Sequence, residues 1–181
     1  MRYFVLLQII SFILTLTVSD KVRRKERQIT DKAMIEKFLD EQHIIRIGYY
    51  DKKNDEVYIV PLNYGYIIEN DQYIFYMHGA KKGRKFELSQ DNPKVGFEID
   101  GNYELIRGER ADQYSAKYQS IIGNGKIELI NDIEDKKKGI GLIMKKATGK
   151  TGFEFSQKML EAVGIFKLTA SKLTCKGKLQ N

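Results

Sequence analysis

The chain has 181 residues, 42% hydrophobic and 30% charged, with only two prolines, which suits one globular domain with a sizeable core and excludes a long disordered half. A net charge of +7 invites a nucleic-acid partner, yet 24 acidic residues are interspersed among 31 basic ones and no unipolar arm appears, so a local anion site explains the excess as well. The single cysteine, Cys175, excludes an internal disulfide and a cysteine cluster, and with His43 and His78 as the only imidazoles no metal site is expected.

Tyr3–Val18 is almost continuously apolar after Met1-Arg2, but shorter than the roughly 20 residues that span a bilayer comfortably. Residues 1–22 read either as an export or anchor segment, with Thr17-Val18-Ser19 as a mediocre cleavage site, or as residues ahead of the true start. The second reading rests on Val22, which is followed at once by the soluble-looking Arg23-Arg24-Lys25-Glu26-Arg27. The fold is therefore expected within 23–181, as one domain. A cytoplasmic location follows if 1–22 are absent, and an exported or membrane-anchored one if they are retained.

Thr30 is a candidate cap for a helix over about Asp31–Glu41, with Met34, Ile35, Phe38 and Leu39 as its inner stripe. From His43 the period becomes that of strands: His43–Tyr50, Glu56–Pro61 continuing through Leu62–Ile68, and Gln72–His78, with polar turns at Asp51–Asp55 and Glu69–Asp71. Tyr, Ile and Val on both faces predict that both faces are covered. Pro61 lacks a ladder donor, which places an edge, bulge or break there. A short helix is expected over Lys82–Gln90, then a strand over Lys94–Asp100, a hairpin at Asp100-Gly101 and a return strand over Tyr103–Arg107. Tyr118–Ile130 reads as a long strand in which Gly123 and Gly125 mark a bulge or a close approach. Asn131 or Asp132 starts a helix that Gly149 ends; Phe153–Glu161 is short and amphipathic; Ala162–Ser171 is a last strand before a basic tail. Six or more strands joined mainly by short turns predict a mainly β, antiparallel Greek-key barrel with peripheral helices.

The chemistry centres on Tyr76–Lys85. An apolar strand opens at Gly79 and passes through Lys81, Lys82, Gly83, Arg84 and Lys85 into a helix start. Free N–H groups, a helix dipole and cations together favour a phosphate, although the same residues also describe a solvated turn. His78 shares a strand face with Ile74 and Tyr76 just before this loop, and reads as a core histidine or as a pocket residue beside a planar ligand with a phosphate tail. Neither histidine is paired with a serine or with Cys175 in a nucleophile motif.

Several further stretches carry a family resemblance in the right order: Ile45-Arg46-Ile47-Gly48, Val60-Pro61-Leu62-Asn63-Tyr64-Gly65-Tyr66, His78-Gly79-Ala80-Lys81-Lys82-Gly83-Arg84-Lys85, Asn92-Pro93-Lys94-Val95-Gly96-Phe97-Glu98 and Tyr118–Gly125. With them, Arg23 to Gly177 resembles the flavoproteins related to pyridoxamine 5′-phosphate oxidase, in their nitroimidazole-resistance (Nim-type) branch. The resemblance implies an FMN-binding split β-barrel, a homodimer with flavin at the subunit interface, and an oxidoreductase that reduces a small ring or nitroaromatic substrate. It implies phosphate contacts from Lys81, Arg84 and Lys85, with Asn63 and Tyr64 against the flavin ring or its polar edge. It also places His78 near the ring or substrate as the candidate catalytic residue, and Ser120 approaching from the partner. Gly79 stands where many relatives have serine. Members of this superfamily bind FAD, F420 or haem instead, so a haem- or flavin-binding protein without reductase activity is the alternative. Nucleic-acid binding is not expected.

Overall fold

In a computed structural model of the chain, residues 24–179 are described; the apolar extension 1–22 lies outside them. The elements in order are β1 (Gln28–Ile29), α1 (Lys32–Glu41), β2 (Ile44–Asp51), β3 (Glu56–Glu69), β4 (Gln72–Ala80), α2 (Arg84–Asp91), β5 (Lys94–Ile106), β6 (Ser115–Ile130), α3 (Ile133–Thr148), α4 (Gln157–Ala162) and β7 (Val163–Lys178). All strand pairings are antiparallel, in the order β1-β7-β4-β3-β2-β5-β6, and β6 also pairs with β7. The ring β2-β3-β4-β7-β6-β5 thus closes. β2, β3 and β4 form a meander and β5 returns beside β2, which is the expected Greek-key path. Closure removes open edges, the usual liability of a sheet.

Two apolar clusters hold this arrangement. The larger fills the barrel with Ile47, Tyr64, Phe75, Met77, Phe97 and Phe166 and takes in Ile35, Phe38 and Leu39 of α1. The second lies outside, where Ile140 and Ile143 of α3 and Leu160 of α4 cover Ile74, Tyr76 and Ile165. Glycines let α3 come this close. A Cβ on Gly65 would stand 2.5 Å from Ile143 N and 2.6 Å from Leu142 O, and one on Gly139 would stand 2.8 Å from Tyr76 Cδ1.

Several sequence expectations are revised. Asp31, not Thr30, caps α1 by accepting from Met34 N, and Asp132 rather than Asn131 caps α3. Met34 lies on the exposed side of α1, outside the stripe. No hairpin forms at Asp100-Gly101: β5 runs on to Ile106 through a register shift between Gly101 and Glu104, with Asn102 in the left-handed region at φ 57°. That local conformation supplies the turn chemistry of the Asp-Gly pair without reversing the chain. The basic tail is no tail. Lys172–Lys178 continue β7, with Cys175 only 2% exposed and its thiol accepting from Gln119 Nε2 at 3.6 Å. Pro61 does lie at an edge, because β3 pairs with β2 through Asn63 and with β4 only from Tyr64 onward. Gly123 and Gly125 mark both features expected of them, a register shift at Asn124/Gly125 and close approach to β7. Coverage of both sheet faces fails on β2 and β3, where Tyr50 of β2 and Val57 and Ile59 of β3 are exposed. Among the described residues, no helix is long and apolar enough to cross a membrane.

Candidate functional site

The site is built where β4 opens into α2. Alternation along β4 sends Phe75 and Met77 into the barrel and Ile74 and Tyr76 under α3. His78 is on the latter face, but beyond the cover of α3 and exposed. The strand then turns through Lys81–Gly83, where Gly83 takes φ 89°, a value that favours glycine. α2 begins at Arg84 with no side-chain cap on its first-turn N–H groups, which leaves a positive helix end open to a ligand.

Two anchors fix α2. The Arg84 guanidinium donates to Asp51 Oδ2 from Nε at 3.2 Å and from Nη2 at 2.8 Å, also reaches Glu56, and lies 4.8 Å over the Tyr58 ring. Ser89 Oγ donates to Lys85 O at 2.8 Å and meets Tyr49 Oη at 3.1 Å. Burial pushes the Tyr49 phenol up to about 12, so it remains a neutral hydroxyl in this contact.

Between these anchors stands Lys85, half-buried. Its ammonium lies 4.7 Å over the Phe166 ring, in the notch that the missing side chain of Gly79 leaves. Among the described residues it meets no carboxylate and no carbonyl. Burial holds its pKa below the usual lysine value. Partial burial and then the nearby Lys85 charge hold the His78 imidazole below its usual pKa, so the ring is neutral at pH 7. Lys81 is adjacent, but its ammonium donates to Glu161 O at the end of α4. The buried Lys136 Nζ serves the same helix end, at 2.9 Å from Leu160 O.

The residues expected to form a site from the sequence thus fall into groups. His78, Lys81 and Lys85 cluster around one turn, and Lys85 remains unpaired. Arg84 belongs to the same turn but is engaged by Asp51 and Glu56. Tyr64 points into the core, 2% exposed, with its hydroxyl donating to Leu39 O at 2.8 Å. The alternation that buries Tyr64 turns the exposed Asn63 outward, where its Nδ2 donates to His43 O at 3.3 Å. Ser120 is opposite Asp100 of β5 and opposite Lys176 of β7, and the strand order keeps it away from β4 within one chain. Phe166, the ring under Lys85, escapes sequence reading because its contact comes from the register Met77↔Phe166 between distant strands.

The arrangement can take an anion at the α2 start, beside a neutral imidazole. Comparison with known proteins then gives the lineage. The pyridoxamine 5′-phosphate oxidase family profile matches residues 31–176. A candidate 5-nitroimidazole antibiotic resistance protein from Bacteroides thetaiotaomicron is 30% identical, with 83% of this chain and 86% of that chain covered and a TM-score of 0.71. A flavocytochrome from Azotobacter vinelandii (18% identity, TM-score 0.69, 88% and 73% covered) shares the fold. So does an FAD and heme binding protein from Mycobacterium smegmatis (13%, 0.68, 85% and 74%). No curated protein matches the chain. With most of its length matched by the family profile and its barrel shared with these structures, the chain belongs to the pyridoxamine 5′-phosphate oxidase family, with that family's split β-barrel fold.

Proposed function

We propose that the protein binds FMN and works as a flavin-dependent oxidoreductase on a small ring or nitroaromatic substrate. The observation that carries this reading is Lys85, a half-buried ammonium without an anionic partner, next to a helix start without a side-chain cap. A buried cation is costly unless it is paired, and a phosphate would supply the partner. These residues fit the phosphate of FMN. Lys81 would add a second cation by leaving Glu161 O, while Arg84 would hold α2 in place through Asp51 and Glu56.

When bound, the flavin supplies the hydride or electron chemistry. The chain's part is to hold it and to offer a neutral imidazole at His78, which can hold or pass a proton at a ring nitrogen. Asn63 presents an outward amide that suits a polar ring edge; Tyr64 supports the barrel beneath it. We further propose a homodimer through the uncovered face of β2, β3 and β6, where Val57, Ile59 and Ile122 are exposed. Ser120 is on β6 near that face and would meet the partner's flavin. Residues 23–181 would form a single unit for this purpose, at home in a cytoplasm.

The absorbance spectrum of the purified protein tests the central statement. Flavin bands are expected as isolated or after addition of FMN, and a protein that neither holds nor gains FMN refutes it. Substituting both Lys81→Ala and Lys85→Ala is expected to weaken FMN at least tenfold; unchanged affinity removes the phosphate assignment. A haem-binding reading has one observation of its own, the exposed neutral imidazole of His78. It predicts a Soret band on haem addition that His78→Ala abolishes.

A further inference from the structure

Helix α3 carries two interior glycines whose surroundings differ. Gly139 is explained by packing, since a Cβ there would crowd Tyr76 and Ile165. Gly141 has no such reason: a Cβ there would meet nothing within 4 Å, and its backbone is ordinary right-handed helix. An interior helical glycine costs roughly 1 kcal/mol relative to alanine. Neither fold nor conformation requires it.

What Gly141 does is form the floor of a groove of about 660 Å³ between α3 and residues 151–155. Lys137 and Lys138 stand one turn before it and Lys145 one turn after, all on the groove side. The opposite wall is Phe153 and Phe155, with ring centroids 6.4 Å apart and planes 26° from parallel. Gly149 and Gly152, at φ 71° and 77°, shape the connection that presents these rings. Three lysines and one carboxylate, Glu154, line the space. Lys138 is paired with Glu69 at 2.9 Å and Lys137 with Glu134 at 2.7 Å, whereas Lys145 makes no ion pair among the described residues. The space left at Gly141 beside Leu142, an aromatic wall and a cation without an ion pair at one end suit a planar ring bearing an anionic group.

We propose that this groove is a binding site for a small planar aromatic anion, separate from the turn at Lys85. The ring would slide over Gly141 against Phe153 and Phe155, and the anionic group would meet Lys145. Such an anion could be an aromatic carboxylate or a nucleoside monophosphate, and the test distinguishes the two. The full chain, labelled with nitrogen-15, is titrated with 1-naphthoate, with adenosine 5′-monophosphate and with inorganic phosphate. Saturable amide shifts at Gly141, Lys145 and Gly152 with one or both aromatic probes are expected, and none with inorganic phosphate. Binding by naphthoate alone assigns a carboxylate ligand, and binding by the nucleotide alone a phosphate one. Gly141→Leu is expected to weaken binding at least tenfold while leaving thermal stability equal or higher, because leucine is the better helix former at a site with free space. Lys145→Gln is expected to weaken it about tenfold. The proposal is overturned if no probe gives saturable shifts, if inorganic phosphate reproduces them, if they fall only around His78–Lys85, or if Gly141→Leu binds as before.

Discussion

Replacing Gly79 by serine tests how Lys85 is held. A Cβ at residue 79 would stand 3.0 Å from Lys85 Cε and 3.4 Å from Phe166 Cε2, and would overlap the ammonium itself. The side chain is flexible, so the ammonium moves and the backbone stays. It then leaves the Phe166 ring, losing a cation–π contact worth about 0.5–1 kcal/mol at a half-exposed site. In a domain of this size that is a fall in Tm of roughly 1–4 °C. The second effect is electrostatic. Among the described residues, Lys85 is the only neighbouring charge that lowers the His78 pKa, acting after burial. With the ammonium displaced, the His78 pKa should rise toward its usual 6.5. Proton NMR reads this directly, because His43 is the only other histidine. Lys85→Met should raise the His78 pKa in the same direction. If Gly79→Ser leaves both the His78 pKa and Tm unchanged, Lys85 does not occupy the notch and the account of the turn is wrong.

His78 itself makes stability depend on pH. Its folded pKa is below the unfolded value of 6.5, so the unfolded chain takes up the proton first. Its contribution is full above about pH 6.5 and declines as pH falls toward the folded value; urea midpoints between pH 8 and 5 should show a loss that His78→Gln reduces. Gly65→Ala should cost about 1–3 kcal/mol by pushing on the α3 backbone, read as a lower urea midpoint with unchanged slope. Arg84→Ala should lower the urea midpoint modestly, because Asp51 loses its ion-pair partner but keeps its hydrogen bonds from Lys53 N, Asn54 N and Asn54 Nδ2. FMN affinity in that variant should change far less than in Lys85→Ala, as measured by flavin fluorescence.

Much of the barrel was legible because its signals are local. The 3.6 period of Ile35, Phe38 and Leu39 marks α1, and the alternation of Val95, Phe97 and Ile99 marks the first half of β5. What misled was also local. Asp100-Gly101 has the composition of a hairpin turn, yet β6 continues to pair beyond it and holds β5 extended. Lys172–Lys178 has the charge of a solvated tail. Its alternation was nonetheless present: Leu173, Cys175 and Gly177 turn inward between lysines and Thr174. At the candidate site, the cations of the loop could be read, but not their partners. Asp51 and Glu56 claim Arg84 through the β2–β3 turn, Leu39 claims the Tyr64 hydroxyl, and Phe166 arrives from the last strand. Each of these depends on how elements distant in the chain come together, which no short motif encodes.

The position of β7 bears on how the molecule is made. It supplies the second partner of β4 and of β6 and pairs with β1, with Gln28 opposite Lys176. A ribosome adds roughly 5–20 residues each second. Until β7 has emerged, a nascent chain with β2 to β6 already formed presents two unpaired edges, on β4 and β6, and edges of this kind recruit other chains. Ring closure is a long-range event and should set the refolding rate. Truncation ahead of Val163, which removes every β7 partner of β4 and β6, would then leave a species that aggregates during synthesis rather than one that is merely less stable.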